Sequence, residues 1–350
     1  MSKIGDLLRK HLKNFTPYST ARDDFKGDRG IFLDANENAL GSVIFKNYNR
    51  YPDPRQSHLK LVMGKIKGIA PECIFMGNGS DEPIDLLIRA FCEPGIDDVM
   101  IFPPTYGMYK VAANINNVSV NEVLLTKDFQ LDMTQIKSAL NDHVKIIFIC
   151  SPNNPTGNLI QVQDILDLAT VFKGIIVIDE AYIDFTDTPS WIEAISKFPH
   201  LVVLQTLSKA WGLASLRLGI AFCDPKIVDV LNLIKPPYNI SGPVQNHVLK
   251  ALKKEGQMRS FVEEIKKLKK ELGLALEQLP IVLKVYPSET NFFLVKFKNV
   301  QEIFQYLIRN EIILRDRSGL FLCEDCIRIT VGTAFENKQL ILTLKNYLKI

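Results

Sequence analysis

The segment Thr206-Leu207-Ser208-Lys209, with Arg217 eight positions beyond the lysine, sets an amine among hydroxyls and a guanidinium. Hydroxyls and a planar guanidinium are natural partners for phosphate oxygens, the arginine through two parallel bonds. An amine in that company is in conflict: phosphate favours its ammonium form, whereas a nucleophilic lysine must be neutral. Making the lysine's link to its ligand a covalent imine resolves the conflict. Taken alone, the segment also reads as a surface lysine after a strand.

Four other segments carry candidate chemistry. Asp179-Glu180-Ala181-Tyr182 follows the apolar run Ile175–Ile178. A carboxylate there suits a metal ligand, a helix cap, or the partner of a protonated ring nitrogen that turns an aromatic ring into an electron sink. In the last case Tyr182 could reach a ring oxygen. An acidic pair after a strand also occurs in NTPases, but the G-x-x-x-x-G-K-[ST] loop they need is missing from the sequence. Ser151-Pro152-Asn153-Asn154-Pro155-Thr156-Gly157 is strong turn chemistry that could also aim an Asn amide at a ligand. Gly77-Asn78-Gly79-Ser80-Asp81-Glu82 runs into a helical pattern over Ile84–Phe91. Free backbone N–H groups and the positive end of a helix dipole make such a turn an anion site, and Ser80 or Asp81 equally suits a plain helix cap. Tyr106, after Val99–Phe102, could stack on a flat ring or be a buried structural tyrosine.

These residues must be positioned by the elements around them. The runs Val99–Phe102, Lys145–Cys150, Ile175–Ile178, Leu201–Gln205 and Gly219–Cys223 are nearly continuous in apolar residues. Strands buried on both faces read this way. They alternate with helical patterns such as Val162–Phe172, which predicts an α/β domain with a mainly parallel sheet flanked by helices. Useful residues in such sheets lie at the C-terminal ends of strands, where each of these segments falls. The last third instead shows a long amphipathic helix over Ser260–Leu279, three strand-like runs (Asn291–Phe297, Ile312–Arg315, Ile327–Val331) and further helices. That pattern predicts a smaller α+β domain. The Pro- and Gly-rich stretch at 235–243 places the boundary, with residues 36–243 forming the large domain. Residues 244–350, joined by 1–35, form the small domain and an N-terminal arm.

The 350 residues carry a net charge of +3, and their 47% hydrophobic and 23% charged content is ordinary for a soluble globular protein. No basic block suggests nucleic acid. The densest basic stretch, Lys266–Lys270, is interspersed with Glu263, Glu264 and Glu271 and reads as a solvated helix face. Six scattered cysteines in mostly apolar runs suit reduced thiols in the cytoplasm. Cys323 and Cys326 lack the second pair that a structural zinc site requires, so no metal is expected. No run approaches the roughly 18 apolar residues of a membrane span. Ile4, Leu7, Leu8, Leu12 and Phe15 share one helical face, and Asp6 among them favours a short docking helix over a transit peptide.

The order of the segments resembles the fold-type I pyridoxal-phosphate-dependent aminotransferases. The motifs Asn154-Pro155-Thr156-Gly157, Asp179 to Tyr182 and Ser208-Lys209 through Arg217 match that family without departure, and the likeness covers essentially the whole chain. The resemblance implies that Lys209 binds the cofactor covalently and later moves the substrate proton. It implies that Asp179 keeps the ring nitrogen protonated, that Asn154 and Tyr182 bind the phenolic oxygen, and that Tyr106 stacks on the ring. Ser80, Asp81, Thr206, Ser208 and Arg217 would hold the cofactor phosphate.

Ile313-Leu314-Arg315-Asp316-Arg317 and Ile327-Arg328 place arginines at strand-like positions, and an arginine's fork reads carboxylate and phosphate. Arg315 also reads as a surface charge on an edge strand, and Arg317 is expected to face solvent. These segments, with Thr16-Pro17-Tyr18, Leu33-Asp34-Ala35-Asn36-Glu37-Asn38 and Asn49-Arg50-Tyr51-Pro52, resemble the histidinol-phosphate aminotransferases. By that resemblance Tyr18, Asn36, Arg315 and Arg328 are substrate-binding, and Tyr51 reaches the cofactor phosphate of a neighbouring subunit in a homodimer with shared sites. The implied reaction exchanges an amino group between L-histidinol phosphate and 2-oxoglutarate, giving imidazole-acetol phosphate and L-glutamate in histidine biosynthesis. Threonine-phosphate decarboxylases share these motifs, and an aromatic amino-acid aminotransferase is a further alternative.

Overall fold

The computed structural model describes residues 4–16, 30–44 and 48–349. Its larger sheet has seven strands: β1 (Ile74–Asn78), β2 (Asp98–Ile101), β3 (Ser119–Glu122), β4 (Val144–Cys150), β5 (Ile175–Asp179), β6 (Leu201–Thr206) and β7 (Leu218–Cys223). Their spatial order is β1-β7-β6-β5-β4-β2-β3. β2, β4, β5 and β6 run parallel, as expected, whereas β7 is antiparallel to both of its neighbours. The sheet is therefore mixed.

Period-two alternation divides the strand residues between two layers. Ile146, Phe148 and Cys150 of β4 face one core, formed with helices α3 (Asp81–Phe91), α4 (Met108–Ile115) and α7 (Pro225–Ile234). Ile147 and Ile149 face the opposite core, under α5 (Met133–Ala139) and α6 (Val162–Val171). A third core on that same side joins β1, β6 and β7 to α2 (Ser57–Lys67) and α8 (Gly242–Leu252). Both faces of the sheet are thus covered, which is why its strands read as continuous apolar runs. The N-terminal segment docks through α1 (Ile4–Leu7): Ile4 is buried in the first core, and the Arg9 amide donates to the Ala90 carbonyl.

A four-stranded sheet forms the second layer system, in the order β10-β11-β9-β8. Its strands are β8 (Val282–Val285), β9 (Phe292–Phe297), β10 (Arg315–Asp316) and β11 (Cys326–Thr330). Phe293, Val295 and Phe297 of β9 enter its own core. That core is closed by α9 (Glu255–Glu277), α10 (Val300–Arg309) and α11 (Ala334–Leu348). The alternate residues Phe292 and Leu294 pack instead with the cores of the large sheet. The stretch at 235–243 is the turn between α7 and α8. Beyond it, α8 and the first half of α9 (Met258, Val262) still pack on the large sheet, whereas Leu272 and Leu276 belong to the second core. In packing terms the handover falls inside α9. Among the described residues no helix is long and apolar enough to cross a membrane.

Candidate active site

Strand register gathers the chemical segments at one edge. Cys150 pairs with Asp179 and Asp179 with Leu204, so β4, β5 and β6 end side by side. β7 enters that edge directly after Arg217. β1, antiparallel to β7, leaves it at Asn78 just before Gly79 and Ser80. A cavity of about 480 Å³ opens there. Ser80, Asp81, Tyr106, Asn154, Asp179, Tyr182, Thr206, Ser208, Lys209, Arg217, Arg315 and Arg328 all line it.

The anion turn depends on a close backbone approach. A Cβ on Gly219 would lie 2.2 Å from the Gly79 carbonyl carbon and 2.3 Å from the Ser80 nitrogen, so only glycine lets β7 meet the turn. Gly79 itself has a φ of +69°, which glycine adopts without steric cost. Ser80 occupies the N-cap position of α3 without a side-chain capping bond, and the first turn carries Asp81 and Glu82. Thr206 Oγ1 donates to Ser208 Oγ at 3.0 Å and accepts from the Ser208 amide at 3.1 Å, which fixes both hydroxyls beside the turn. Arg217 donates to Asp81 Oδ2 at 3.4 Å, and Tyr106 Oη donates to Asp81 Oδ1 at 3.0 Å. The Arg217–Asp81 pair is partly exposed and therefore weak, so an arriving phosphate can compete for the guanidinium.

Asp179 is 2% exposed. Tyr109 Oη donates to its Oδ2 at 2.7 Å and the Ala181 amide to its Oδ1 at 3.1 Å. Burial nevertheless pushes its carboxyl up to about 6. A cation beside it would reverse that shift. Glu180 points away from the cavity, where the Ser190 hydroxyl, the Trp191 amide and the Gln205 side chain donate to it. The acidic pair is thus split between a site-facing and a structural carboxylate, as alternation along an extended chain requires.

Lys209 Nζ lies 5.6 Å from the centroid of the Tyr182 ring. Loss of water around the ammonium, and then the charge of Arg328, depress its pKa, while Asp179 acts in the opposite sense. Burial pushes the Tyr182 hydroxyl up, so it remains a protonated donor. Arg328 donates to Asn154 Oδ1 at 2.6 Å, which leaves the Asn154 amide hydrogens available to a ligand.

The arginines reach the cavity through the smaller sheet. Arg328 pairs with Leu294 on one side and Arg315 on the other. Directly opposed residues share a face, and Leu294 packs on the large sheet, so the same face carries both arginines towards the cavity. Arg317 is half-buried and lines the cavity too, contrary to the solvent-facing position expected for it. The reason is its spacing, two residues from Arg315 on an extended chain.

Some candidates lie elsewhere. Tyr18 falls outside the described residues. Asn36 and Tyr51 line a separate open hollow, where the half-exposed Tyr51 ring stacks on Tyr238 at 4.5 Å. Tyr109 was not singled out in the sequence; it lies in the first turn of α4, three residues after Tyr106, which precedes the helix. Cys323 and Cys326 are buried in an apolar core.

The cavity offers a lysine whose pKa is depressed, a buried carboxylate suited to a cation, an anion turn with hydroxyls and arginine, and a polar face for a second anion. This donor set fits a phosphorylated, nitrogen-containing aromatic aldehyde. Residues 24–344 match the family model of aminotransferases of class I and II. A histidinol-phosphate aminotransferase of Cytophaga hutchinsonii is 52% identical over 98% of this chain and 99% of its own. The fold is shared with the crystal structure of the histidinol-phosphate aminotransferase from Clostridium acetobutylicum, with a TM-score of 0.80 and 24% identity over 87% of this chain and 92% of that one. It is shared equally with the enzyme of that name from Sinorhizobium meliloti, crystallised with pyridoxal 5'-phosphate (TM-score 0.80, 21% identity, 90% and 89% covered). The chain belongs to the class I and II aminotransferases and, among them, to the histidinol-phosphate aminotransferases.

Proposed function

We propose that the chain uses pyridoxal 5'-phosphate to move an amino group between L-glutamate and imidazole-acetol phosphate, the latter becoming L-histidinol phosphate. The observation that carries this reading is the convergence of Lys209, Asp179, the Ser80–Asp81 turn and two cross-strand arginines on one cavity. When bound, the cofactor supplies an electron sink for the charge left by breaking the substrate's Cα–H bond. Asp179 would accept from the protonated ring nitrogen, and its carboxylate would be ionised in that pairing. Tyr109 and the Ala181 amide orient that carboxylate. The amides of Ser80 and Asp81, with Thr206, Ser208 and Arg217, bind the cofactor phosphate. Tyr106 covers the ring face. The free amide hydrogens of Asn154 and the Tyr182 hydroxyl reach the ring oxygen.

Lys209 would hold the cofactor covalently through its Nζ. Its Nζ, whose pKa the surroundings depress, would take the proton from the substrate Cα. Arg328 and Arg315 bind the distal anion of either substrate, a γ-carboxylate or a phosphate ester, since one guanidinium fork suits both. Arg328 also orients Asn154, which couples substrate and cofactor positions.

We infer a homodimer with shared sites. Tyr51 stands apart from the cavity of its own chain, and the nearby Ile31, Leu33, Leu40 and Val43 are almost wholly exposed. Such a stretch is what a partner subunit would cover. The six unpaired cysteines, five of them buried, support a cytoplasmic location.

The test is amino transfer itself, with products followed by mass spectrometry. Histidinol phosphate and 2-oxoglutarate should yield glutamate and imidazole-acetol phosphate. Release of CO2 from threonine phosphate without that exchange would instead establish the decarboxylase.

A further inference from the structure

Arg315 and Arg328 stand directly opposite each other on the β10–β11 ladder. The ladder continues one step beyond β10, where the Arg317 amide donates to the Cys326 carbonyl at 3.0 Å. Residues two apart on an extended chain share a face, so Arg317 joins the other two, and all three line the cavity. Like charges in cross-strand positions repel.

No carboxylate compensates them: among the described residues none of the three forms an ion pair. Asp316, between Arg315 and Arg317, turns away to accept from the Ser318 amide, the Ser318 hydroxyl and Gln301. Arg317 is further marked by its Nε, which is enclosed by protein and has no hydrogen-bond partner. Native structures rarely leave an enclosed donor of this kind unpaired. Loss of water and the charges of Arg328 and Arg315 depress its pKa, as expected where cations crowd without a counterion.

Two forks suffice for a γ-carboxylate, which carries one negative charge and two oxygens. A phosphate monoester near neutral pH carries close to two charges on three free oxygens. The cavity holds one guanidinium more than the carboxylate needs. We propose that Arg317 is a specificity-determining residue for the phosphorylated substrate, giving the distal-anion site its third guanidinium and its preference for a phosphate dianion over a carboxylate. Arg315 and Arg328 serve both substrates, whereas Arg317 discriminates between them. This rests on the substrate reading given above.

The experiment compares Arg317→Gln and Arg317→Lys holoenzymes with the parent, each half-reaction measured separately. For Arg317→Gln, kcat/KM should fall about 10- to 100-fold with histidinol phosphate, chiefly through KM, since loss of a charged hydrogen bond has that size. With glutamate it should fall no more than about threefold, and Arg317→Lys should recover part of the phosphate preference. An equal fall for both substrates, or no fall for either, would overturn the proposal. Inorganic phosphate as a competitive inhibitor of the glutamate half-reaction provides a readout independent of the phosphorylated substrate. Its inhibition constant should rise about tenfold in Arg317→Gln, and an unchanged constant would also overturn the proposal. If the parent ignores histidinol phosphate yet Arg317→Gln weakens inorganic phosphate, the substrate reading fails and the anion site stands. A thermal melt separates folding effects: relief of like-charge crowding should leave Arg317→Gln at least as stable as the parent. A lower midpoint together with equal losses for both substrates would mark Arg317 as structural.

Discussion

The two walls of the cavity are built on opposite principles. On the side of the large sheet, several polar groups are already engaged. Asp179 accepts from Tyr109 and Ala181, Thr206 is bonded to Ser208, and Asp81 accepts from Tyr106 and Arg217. On the side of the small sheet, three arginines share one face without a carboxylate, carried by a strand of two residues and its neighbour. A group held throughout every catalytic cycle is best met by side chains fixed beforehand. Substrates that alternate between a carboxylate and a phosphate are better met by charge left uncompensated until they arrive.

Substitutions should therefore separate the walls. The largest effect is expected at Lys209. Lys209→Ala should lower both half-reactions by about 10²–10⁴-fold, the range for a positioned acid–base group, as read by single-turnover kinetics. Asp179→Asn comes next. Losing one partner of a buried charge pair costs about 3–5 kcal/mol, so both half-reactions should fall by about a hundredfold or more. Arg328→Gln should cost about 10- to 100-fold in kcat/KM with either substrate, because this arginine fixes Asn154 and is proposed to bind the distal anion. Equal losses are expected at Lys209, Asp179 and Arg328, and unequal losses at Arg317 set it apart from the rest.

Asp179 also implies a pH dependence of stability in the cofactor-free protein. Its folded pKa of about 6 lies above the unfolded value of about 3.9. The folded state therefore binds the extra proton in that window, and stability falls as pH rises from about 4 to about 6, by at most about 3 kcal/mol. Denaturation across this window should show a steeper decline in the parent than in Asp179→Asn, where Glu180, raised to about 7 by burial, still contributes; the difference is the Asp179 share. Bound cofactor should abolish it, because a cationic nitrogen favours the ionised carboxylate. The smallest effect is expected of Tyr109→Phe. Its hydrogen bond lowers the Asp179 pKa, so removing it should raise that pKa further and weaken cofactor retention about fivefold, measured by equilibrium dialysis.

The large-sheet wall was legible in the sequence because its strands are buried on both faces and each chemical segment begins where an apolar run stops. The small-sheet wall was legible only in part: Arg315 and Arg328 stood out, and Arg317 was placed in solvent. Only the pairing of Arg315 with Arg328, and the continuation of that ladder to Cys326, put Arg317 in the cavity; such register depends on long-range pairing. Tyr109 was hidden because it looks like any aromatic on a buried helix face. The antiparallel direction of β7 leaves no trace in composition, since an apolar strand reads the same either way. The Pro and Gly residues at 235–243 mark a turn, but a long helix that crosses from one core to the other carries no such punctuation.

The most direct test of the account is to reduce the holoenzyme with borohydride and map the modified lysine by peptide mass spectrometry. The expected result is a single pyridoxyl-phosphate adduct on Lys209, absent after prior incubation with histidinol phosphate. An adduct on another lysine, or none in protein that has been given the cofactor, would contradict the assignment of Lys209 and with it the reading of the whole cavity.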